Sequence, residues 1–187
     1  MTTAARSTWE QVREGVLTCE QQLRVPVTGS PDLVAILDRL ERVHFAEVER
    51  ATFGVIRCHR RGAEIVCHVG ERWPVLTFGA PETVVSATAA ERRWPIRAGL
   101  LARPSAARGE LILRAERGQE GQEVLLTNAV DGFPSRFLGD PLPGMPRLLW
   151  RLLSDVYLAY HRLVSFRGLE RVACELRRET HRFERER

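Results

Sequence analysis

The sequence predicts an α+β domain in which one strand and one helix are followed by six strands and a long C-terminal helix. Three observations predict this order. Apolar and polar residues alternate at residues 17–27 and again in several runs between residues 53 and 130, as is typical of strands with one buried face. Apolar residues recur at helical spacing over residues 31–43. A broad apolar helical face extends over residues 148–166.

The first strand and the first helix are separated by a turn. The strand at residues 17–27 places most of its apolar residues on one face. Residues 28–31, Thr-Gly-Ser-Pro, then interrupt the pattern. Ser30 suits the N-cap of a helix and Pro31 its first position. We therefore expect an amphipathic helix over residues 31–43.

Later runs with strand character predict an antiparallel sheet. They lie at residues 53–59, 64–69, 73–78, 83–96, 109–117 and 123–130. Arg60-Arg61-Gly62 connects the first two runs as a tight hairpin, with the glycine where a positive φ is needed. The last two runs form another hairpin, in which Leu111 and Leu113 alternate with polar neighbours.

The C-terminal helix has an unusually wide apolar face. Its members are Leu149, Leu152, Leu153, Val156, Ala159, Tyr160, Leu163 and Val164. This arc exceeds the roughly 100° stripe of an ordinary surface helix, so we expect the helix to be deeply embedded against the sheet. Residues 168–187 are rich in arginine and glutamate at spacings of three and four, which predicts a solvated helical tail. A partner-binding helix is the alternative.

The order of these elements resembles a known architecture. Residues 17–27, Leu-Thr-Cys-Glu-Gln-Gln-Leu-Arg-Val-Pro-Val, run into residues 30–40, Ser-Pro-Asp-Leu-Val-Ala-Ile-Leu-Asp-Arg-Leu, and the closing feature is the apolar helix at residues 148–166. This resembles the helix-grip fold of the START and polyketide-cyclase-like proteins, the SRPBCC superfamily. The resemblance implies a curved antiparallel sheet of about seven strands wrapped around the C-terminal helix. It also implies a cavity between them, suited to an apolar ligand.

The resemblance covers residues 16–167 and divides the chain into three parts. Residues 1–15 form an N-terminal extension, which looks helical or loose, and residues 168–187 form a charged helical tail. A second short helix, usual after the first one in that superfamily, is not evident. The extension and the tail are both additions to the superfamily pattern.

Composition excludes several classes of function. All 28 basic residues are arginine, which excludes Schiff-base and P-loop lysine chemistry. A single asparagine and few glutamines fit a thermophilic source, although the absence of lysine fits it less well. The net charge of +4 is small and the charges alternate in sign, so we expect no nucleic-acid partner.

Charges interrupt residues 148–166, which argues against a membrane span. No signal peptide is visible and four cysteines make no disulfide scaffold, so we expect a reducing, cytoplasmic setting.

Two Cys-His pairs could suggest a metal site. Cys58-His59 and Cys67-His68 each lie in a strand, where neighbouring side chains point to opposite faces. The four side chains therefore cannot converge on one tetrahedral ion, and we expect no metal. We interpret the cysteines as small buried hydrophobes and the histidines as half-exposed.

Candidate ligand-binding residues come from the sheet and the long helix. They are Arg92, Trp94, Asn128, Leu149, Leu153, Val156, Tyr160 and His161. Trp94, Asn128 and Tyr160 are expected to face one shared cavity. Arg92 has the same facing as Trp94 and either binds an acidic head group or pairs with a glutamate such as Glu110 at the rim. His161 is either a general base or a histidine at the edge of the core helix.

The leading functional interpretation is a non-catalytic cytoplasmic domain that binds or carries a small hydrophobic molecule. No catalytic motif is present, and we expect no cofactor. One alternative is an enzyme of cyclase or aromatase type that uses the same cavity, with His161, Tyr160 or Arg92 in acid–base or electrostatic roles. Another is an interaction module that forms a homodimer through its charged C-terminal helix.

Overall fold

The computed structural model describes residues 6–70, 72–103, 109–118, 121–139, 141 and 144–185, with side chains described as far as residue 180. Within these residues it contains nine strands and two helices. The curved antiparallel sheet packs against both helices, so the fold is the α+β helix-grip arrangement. Residues 1–5 and 186–187, the ends of the predicted extension and tail, lie outside the described residues.

The sheet is continuous from one edge to the other. The strands are β1 (Arg6–Arg13), β2 (Val16–Pro26), β3 (Ile56–Arg61), β4 (Glu64–Val69), β5 (Trp73–Phe78), β6 (Glu82–Val85), β7 (Ala89–Ala98), β8 (Glu110–Arg117) and β9 (Glu123–Pro134), and the helices are α1 (Leu33–Ala51) and α2 (Arg147–Arg185). The strand order is β1-β2-β9-β8-β7-β5-β4-β3, and β6 pairs with β7. β4 and β5 have the predicted bounds.

The sheet has more strands than the seven or so predicted. The expectation of a helical or loose N-terminus is wrong from Arg6 onward, because β1 pairs with β2 along its whole length. Glu14 and Gly15 join them with φ values of 53° and 80°, the geometry of a two-residue hairpin. The predicted run at residues 83–96 is two strands, β6 and β7, because the backbone turns between Ser86 and Ala89.

α1 begins later and ends later than expected. Its N-cap is Asp32 rather than Ser30, because the Asp32 carboxylate accepts hydrogen bonds from the backbone N–H groups of Val34 and Ala35 at 2.9 and 3.2 Å. The helix continues past residue 43 because its polar residues His44 and Glu47 are buried in the fold.

α2 is one helix of 39 residues, and its buried face differs from the predicted one. Leu149, Val156 and Leu163 are 45%, 57% and 41% exposed, so their expected packing against the sheet is wrong. Gly168 does not end the helix; it lies where α2 meets α1, and a Cβ there would make an ordinary contact, 3.8 Å from the Cα of His44. No helix in the described ranges is long and apolar enough to cross a membrane.

The second half of α2 belongs to the core. Its buried residues are Leu169, Val172, Ala173 and Leu176. Its charged residues pair with α1: Glu179 lies 2.8 Å from Arg39, and Arg171 lies 2.8 Å from Glu47. The expectation of a solvated tail is therefore wrong up to Leu176, because the arginine–glutamate spacing serves contacts between the helices. The division of the chain at residues 16 and 167 stays a prediction.

Candidate functional site

An internal cavity of about 80 Å³ lies between the sheet and the two helices. Apolar side chains from β4, β5, β7, β8 and β9 form most of its wall. The polar side chains that line it come from the helices: His44 from α1, and Tyr157, Tyr160, His161 and Ser165 from α2. The cavity surface is thus almost entirely apolar, and its few polar lining residues belong to the helices.

An apolar groove of about 430 Å³ adjoins this cavity. Five residues line both: Ile56, Val75, Leu101, Tyr157 and Tyr160. The groove continues outward along α2, where Leu153 and Val156 line it, and past Thr52 at the end of α1. The shared residues make the groove the mouth of the cavity.

His44 is a neutral imidazole held by Asn128. The side-chain Nδ2 of Asn128 lies 2.8 Å from Nδ1 of His44. Burial, with a smaller effect from nearby His161, lowers the pKa of His44 to about 3. Nδ1 therefore accepts a hydrogen bond from the amide, and Nε2 carries the proton. This places a hydrogen-bond donor at the cavity wall.

His161 is the second neutral imidazole of the cavity. Burial lowers its pKa to about 4, and Glu10 and Arg162 act on it in opposite directions. The Sγ atom of Cys19 lies 3.7 Å from its Nδ1. Burial raises the pKa of Cys19 to about 11, so the group is a thiol that can donate to this nitrogen.

Two tyrosines stand where the cavity meets the groove. The hydroxyl of Tyr160 donates to the carbonyl oxygen of Val48 at 3.1 Å, and burial raises its pKa to about 12. Burial also raises the pKa of Tyr157, while a hydrogen bond with Ser135 opposes the shift. Both phenols are protonated at neutral pH, and Tyr160 ties α2 to the last turn of α1.

Several buried polar atoms near the cavity lack a partner. Oδ1 of Asn128, Oε1 of Gln21 and Oγ of Ser165 form no hydrogen bond among the described residues. Gln21 lies directly opposite Asn128 in the β2–β9 register. Such atoms are rare in folded proteins and are usually satisfied by water or a ligand.

The predicted site residues on α2 divide between cavity, groove and surface. Tyr160 and His161 line the cavity, and Leu153, Val156 and Tyr160 line the groove. Leu149 is exposed and lines neither. The helix rotates Leu149 away because Trp150 is buried beside it and its Nε1 donates to the carbonyl oxygen of Gly139.

The predicted site residues on the sheet are not brought to one cavity. Trp94 is fully buried in the core, edge to face with Phe45 at 6.1 Å between ring centroids, and does not line the cavity. Asn128 is buried and reaches the cavity through His44. The expectation that Trp94, Asn128 and Tyr160 share one cavity is therefore wrong, because α1 lies over the part of the sheet that carries Trp94.

Arg92 lies outside the cavity, in an open groove of about 630 Å³ beside α1. Its guanidinium pairs with Asp38 at 2.8 Å and with buried Glu41. Arg92 thus pairs with a glutamate as expected, but the glutamate is Glu41 of α1 and not Glu110. Arg92 is thus part of a charged link between β7 and the helix.

Cys58 and Cys67 lie directly opposite each other in β3 and β4 and form a disulfide. Cys67 is buried in the core as expected, but the bond between the two cysteines was not predicted; the hairpin register brings both side chains to the same point of one face. Cys67 lines the cavity. His68 is also more buried than expected, at 6% exposure.

Three polar residues of this region were missed from the sequence: His44, Gln21 and Ser165. His44 continues the apolar spacing of α1 four residues after Leu40, so a longer helix would have predicted its burial. Gln21 lies on the odd-numbered, inward face of β2. Ser165 had no such signal, because the predicted helical face placed it opposite the core.

Comparisons with known proteins give similarity in structure alone. No family model matches the chain, and no curated protein sequence matches it. The chain is similar to the crystal structure of Ara h 8.0201, with 12% identity and a TM-score of 0.39, over 83% of this chain and 99% of that chain. It is also similar to CalU16 from Micromonospora echinospora, with 8% identity and a TM-score of 0.34, over 96% of this chain and 97% of that chain. The elements and cavity of this chain themselves define a helix-grip protein with an internal cavity.

Proposed function

We propose that this protein binds a small, largely apolar molecule in the cavity and its mouth, as a member of the SRPBCC superfamily. One observation carries the proposal: an apolar cavity of about 80 Å³ shares five lining residues with an apolar groove of about 430 Å³. Binding sites for small molecules are typically concave and apolar, with a few polar groups that fix orientation. The groove would hold the body of the ligand and the cavity its end.

The few polar groups in the cavity lining define one feature of the ligand. The neutral imidazole of His44 offers its Nε2–H group, and the hydroxyl of Ser165 has no partner in the described structure. Both lie on the cavity wall. A ligand with one acceptor oxygen, such as a carbonyl or a phenol, would satisfy these donors. A purely hydrocarbon ligand would leave them unsatisfied.

The second candidate is a cyclase-type enzyme that uses the same cavity, with His44 and His161 as its candidate bases. A general base works best when its pKa is near the working pH. Burial lowers the pKa values of His44 and His161 to about 3 and about 4, so both are weak bases at neutral pH. Binding is therefore the preferred function over acid–base catalysis.

Native mass spectrometry of protein purified from its own host tests the proposal. We expect a retained small molecule whose mass and fragmentation show an apolar skeleton with at least one oxygen. The same preparation from the variant Ser165→Val, which removes one polar contact, should retain less of it. A protein that carries no adduct and takes up no apolar molecule on incubation would contradict the proposal.

A further inference from the structure

A second concave site lies on the outer face of the β3–β4 hairpin. It is a hollow of about 840 Å³, and its polar walls are the side chains of Arg57, His59, Arg61 and His68. We call it the basic hollow. Cys58 and Cys67 point to the other face of the same strands, toward the core. The basic hollow is thus separate from the cavity.

Strand geometry brings these basic side chains together. Alternation along β3 places Arg57, His59 and Arg61 on one face. The hairpin register then places His68 directly opposite Arg57, and the rings of His59 and His68 lie 6.0 Å apart. None of the described residues that line the basic hollow is acidic.

His68 is the observation that points to a ligand. The residue is 6% exposed, and neither of its ring nitrogens has a hydrogen-bond partner in the described structure. Buried side-chain nitrogen atoms are normally paired. Arg57 and Arg61 lie on an edge strand, where charged side chains commonly prevent pairing with other chains. That role does not explain why the imidazole of His68 is buried without a hydrogen-bond partner.

The two arginines also have no ion-pair partner among the described residues. Within the described part of the chain, neither Arg57 nor Arg61 has an ion-pair partner within 4.0 Å, although Arg60 between them pairs with Glu41. The nearby carboxylate of Glu64 pairs with Arg97 instead, at 2.9 Å. Among the described residues, the basic hollow therefore has two guanidinium groups without an ion-pair partner and one imidazole without a hydrogen-bond partner.

We propose that the basic hollow binds the phosphate group of a phosphomonoester. Guanidinium groups bind phosphate oxygens through paired charge-assisted hydrogen bonds, and a ring N–H group of His68 would donate one more. Val55 lines the hollow and is 58% exposed, so an apolar substituent on the phosphate would have a contact. The phosphomonoester is either a soluble metabolite or the head group of a phosphatidate lipid, since both carry the same chemistry.

Calorimetric titration with phenyl phosphate and sedimentation with vesicles test the proposal. The vesicles contain phosphatidylcholine with or without phosphatidate. We expect binding of phenyl phosphate, of the phosphatidate vesicles, or of both, and about tenfold weaker binding by Arg57→Gln, the effect of losing one charge-assisted contact. The matched control is Arg177→Gln, the same charge change at an exposed position of α2.

The pattern of results distinguishes the sources. Binding of phenyl phosphate alone indicates a soluble ligand, and binding of phosphatidate vesicles alone indicates a lipid head group. His68→Phe, which keeps a ring but removes its nitrogens, should weaken binding as well; if it does not fold, Arg57→Gln decides. The proposal is wrong if neither probe binds, or if Arg57→Gln and Arg177→Gln bind equally well.

Discussion

At the scale of single residues, the cavity depends on a polar pair inside an apolar core. Asn128 donates to His44 across 2.8 Å, and both residues are buried. The burial of Asn128 was predictable from the alternation of β9, since Val124, Leu126 and Val130 share its face. Its partner was not, because the sequence pattern ended α1 one residue before His44. A side chain's facing follows from local periodicity, whereas its partner depends on packing between distant elements.

Removing one member of this pair should destabilise the fold more than removing both. Asn128→Leu leaves Nδ1 of His44 buried without a donor, so we expect the free energy of unfolding to fall by about 1–3 kcal/mol. His44→Leu combined with Asn128→Leu removes both partners and should recover part of that loss. Urea unfolding of the wild type and the three variants measures this. If the losses in free energy of unfolding of His44→Leu and Asn128→Leu add up to the loss of the double variant, the hydrogen bond between the two residues does not stabilise the fold.

The two histidines that line the cavity predict that stability falls in mild acid. Their ordinary pKa of 6.5 falls to about 3 for His44 and about 4 for His161 in the folded protein. Between pH 6.5 and pH 5 the unfolded chain therefore binds more protons, so stability decreases as the pH falls. The expected slope is about 1.4 kcal/mol per pH unit for each fully titrating histidine.

Urea unfolding at pH 5 and at pH 7 measures this slope. His161→Phe removes one of the titrating groups and should reduce the dependence on pH, whereas His59→Phe, at an exposed position of β3, should not. Equal slopes in the wild type and His161→Phe would mean that His161 is not buried as a neutral group.

At the scale of elements, α2 combines two halves with different surroundings. The first half lines the groove with Leu153 and Val156, and the second half packs Leu169 and Leu176 into the core. The existence of the helix was predictable from its spacing. Its rotation was not, because the apolar arc around residue 150 is too wide to indicate one buried side. The arginine–glutamate pairs fit solvent and a neighbouring helix equally well.

Leucine-to-alanine changes distinguish the two halves of α2. Leu169→Ala removes a side chain that is 1% exposed and should lower the free energy of unfolding by about 2–5 kcal/mol. Leu149→Ala, the same change at a position that is 45% exposed, should change it by about 0.5 kcal/mol or less. A larger effect at Leu149 would show that the helical face predicted from the sequence, which includes Leu149, is the buried one.

Deletion of residues 169–187 should prevent folding, because it removes the buried residues Leu169 and Leu176. This deletion tests the division of the chain at residue 167.

At the scale of the whole molecule, the helix-grip fold creates the cavity. Hairpins and strand alternation made most of the sheet predictable, as β4 and β5 show. The cavity itself was predictable only as a consequence of the resemblance. Which residues line it depends on where α1 lies on the sheet: the helix covers Trp94, whereas Tyr160 and His161 line the cavity. The position of α1 depends on contacts between the two helices, such as that of Gly168 with His44. Local sequence patterns give no information on such contacts.

Titration with the neutral fluorescent probe N-phenyl-1-naphthylamine tests the central claim, that the cavity and its mouth bind apolar molecules. We expect saturable binding with enhanced fluorescence, and an altered Kd for Tyr160→Ala, because Tyr160 lines both spaces. Leu149→Ala on the same helix should bind as the wild type does. Absence of saturable binding, or identical affinities for the wild type and Tyr160→Ala, would contradict the claim.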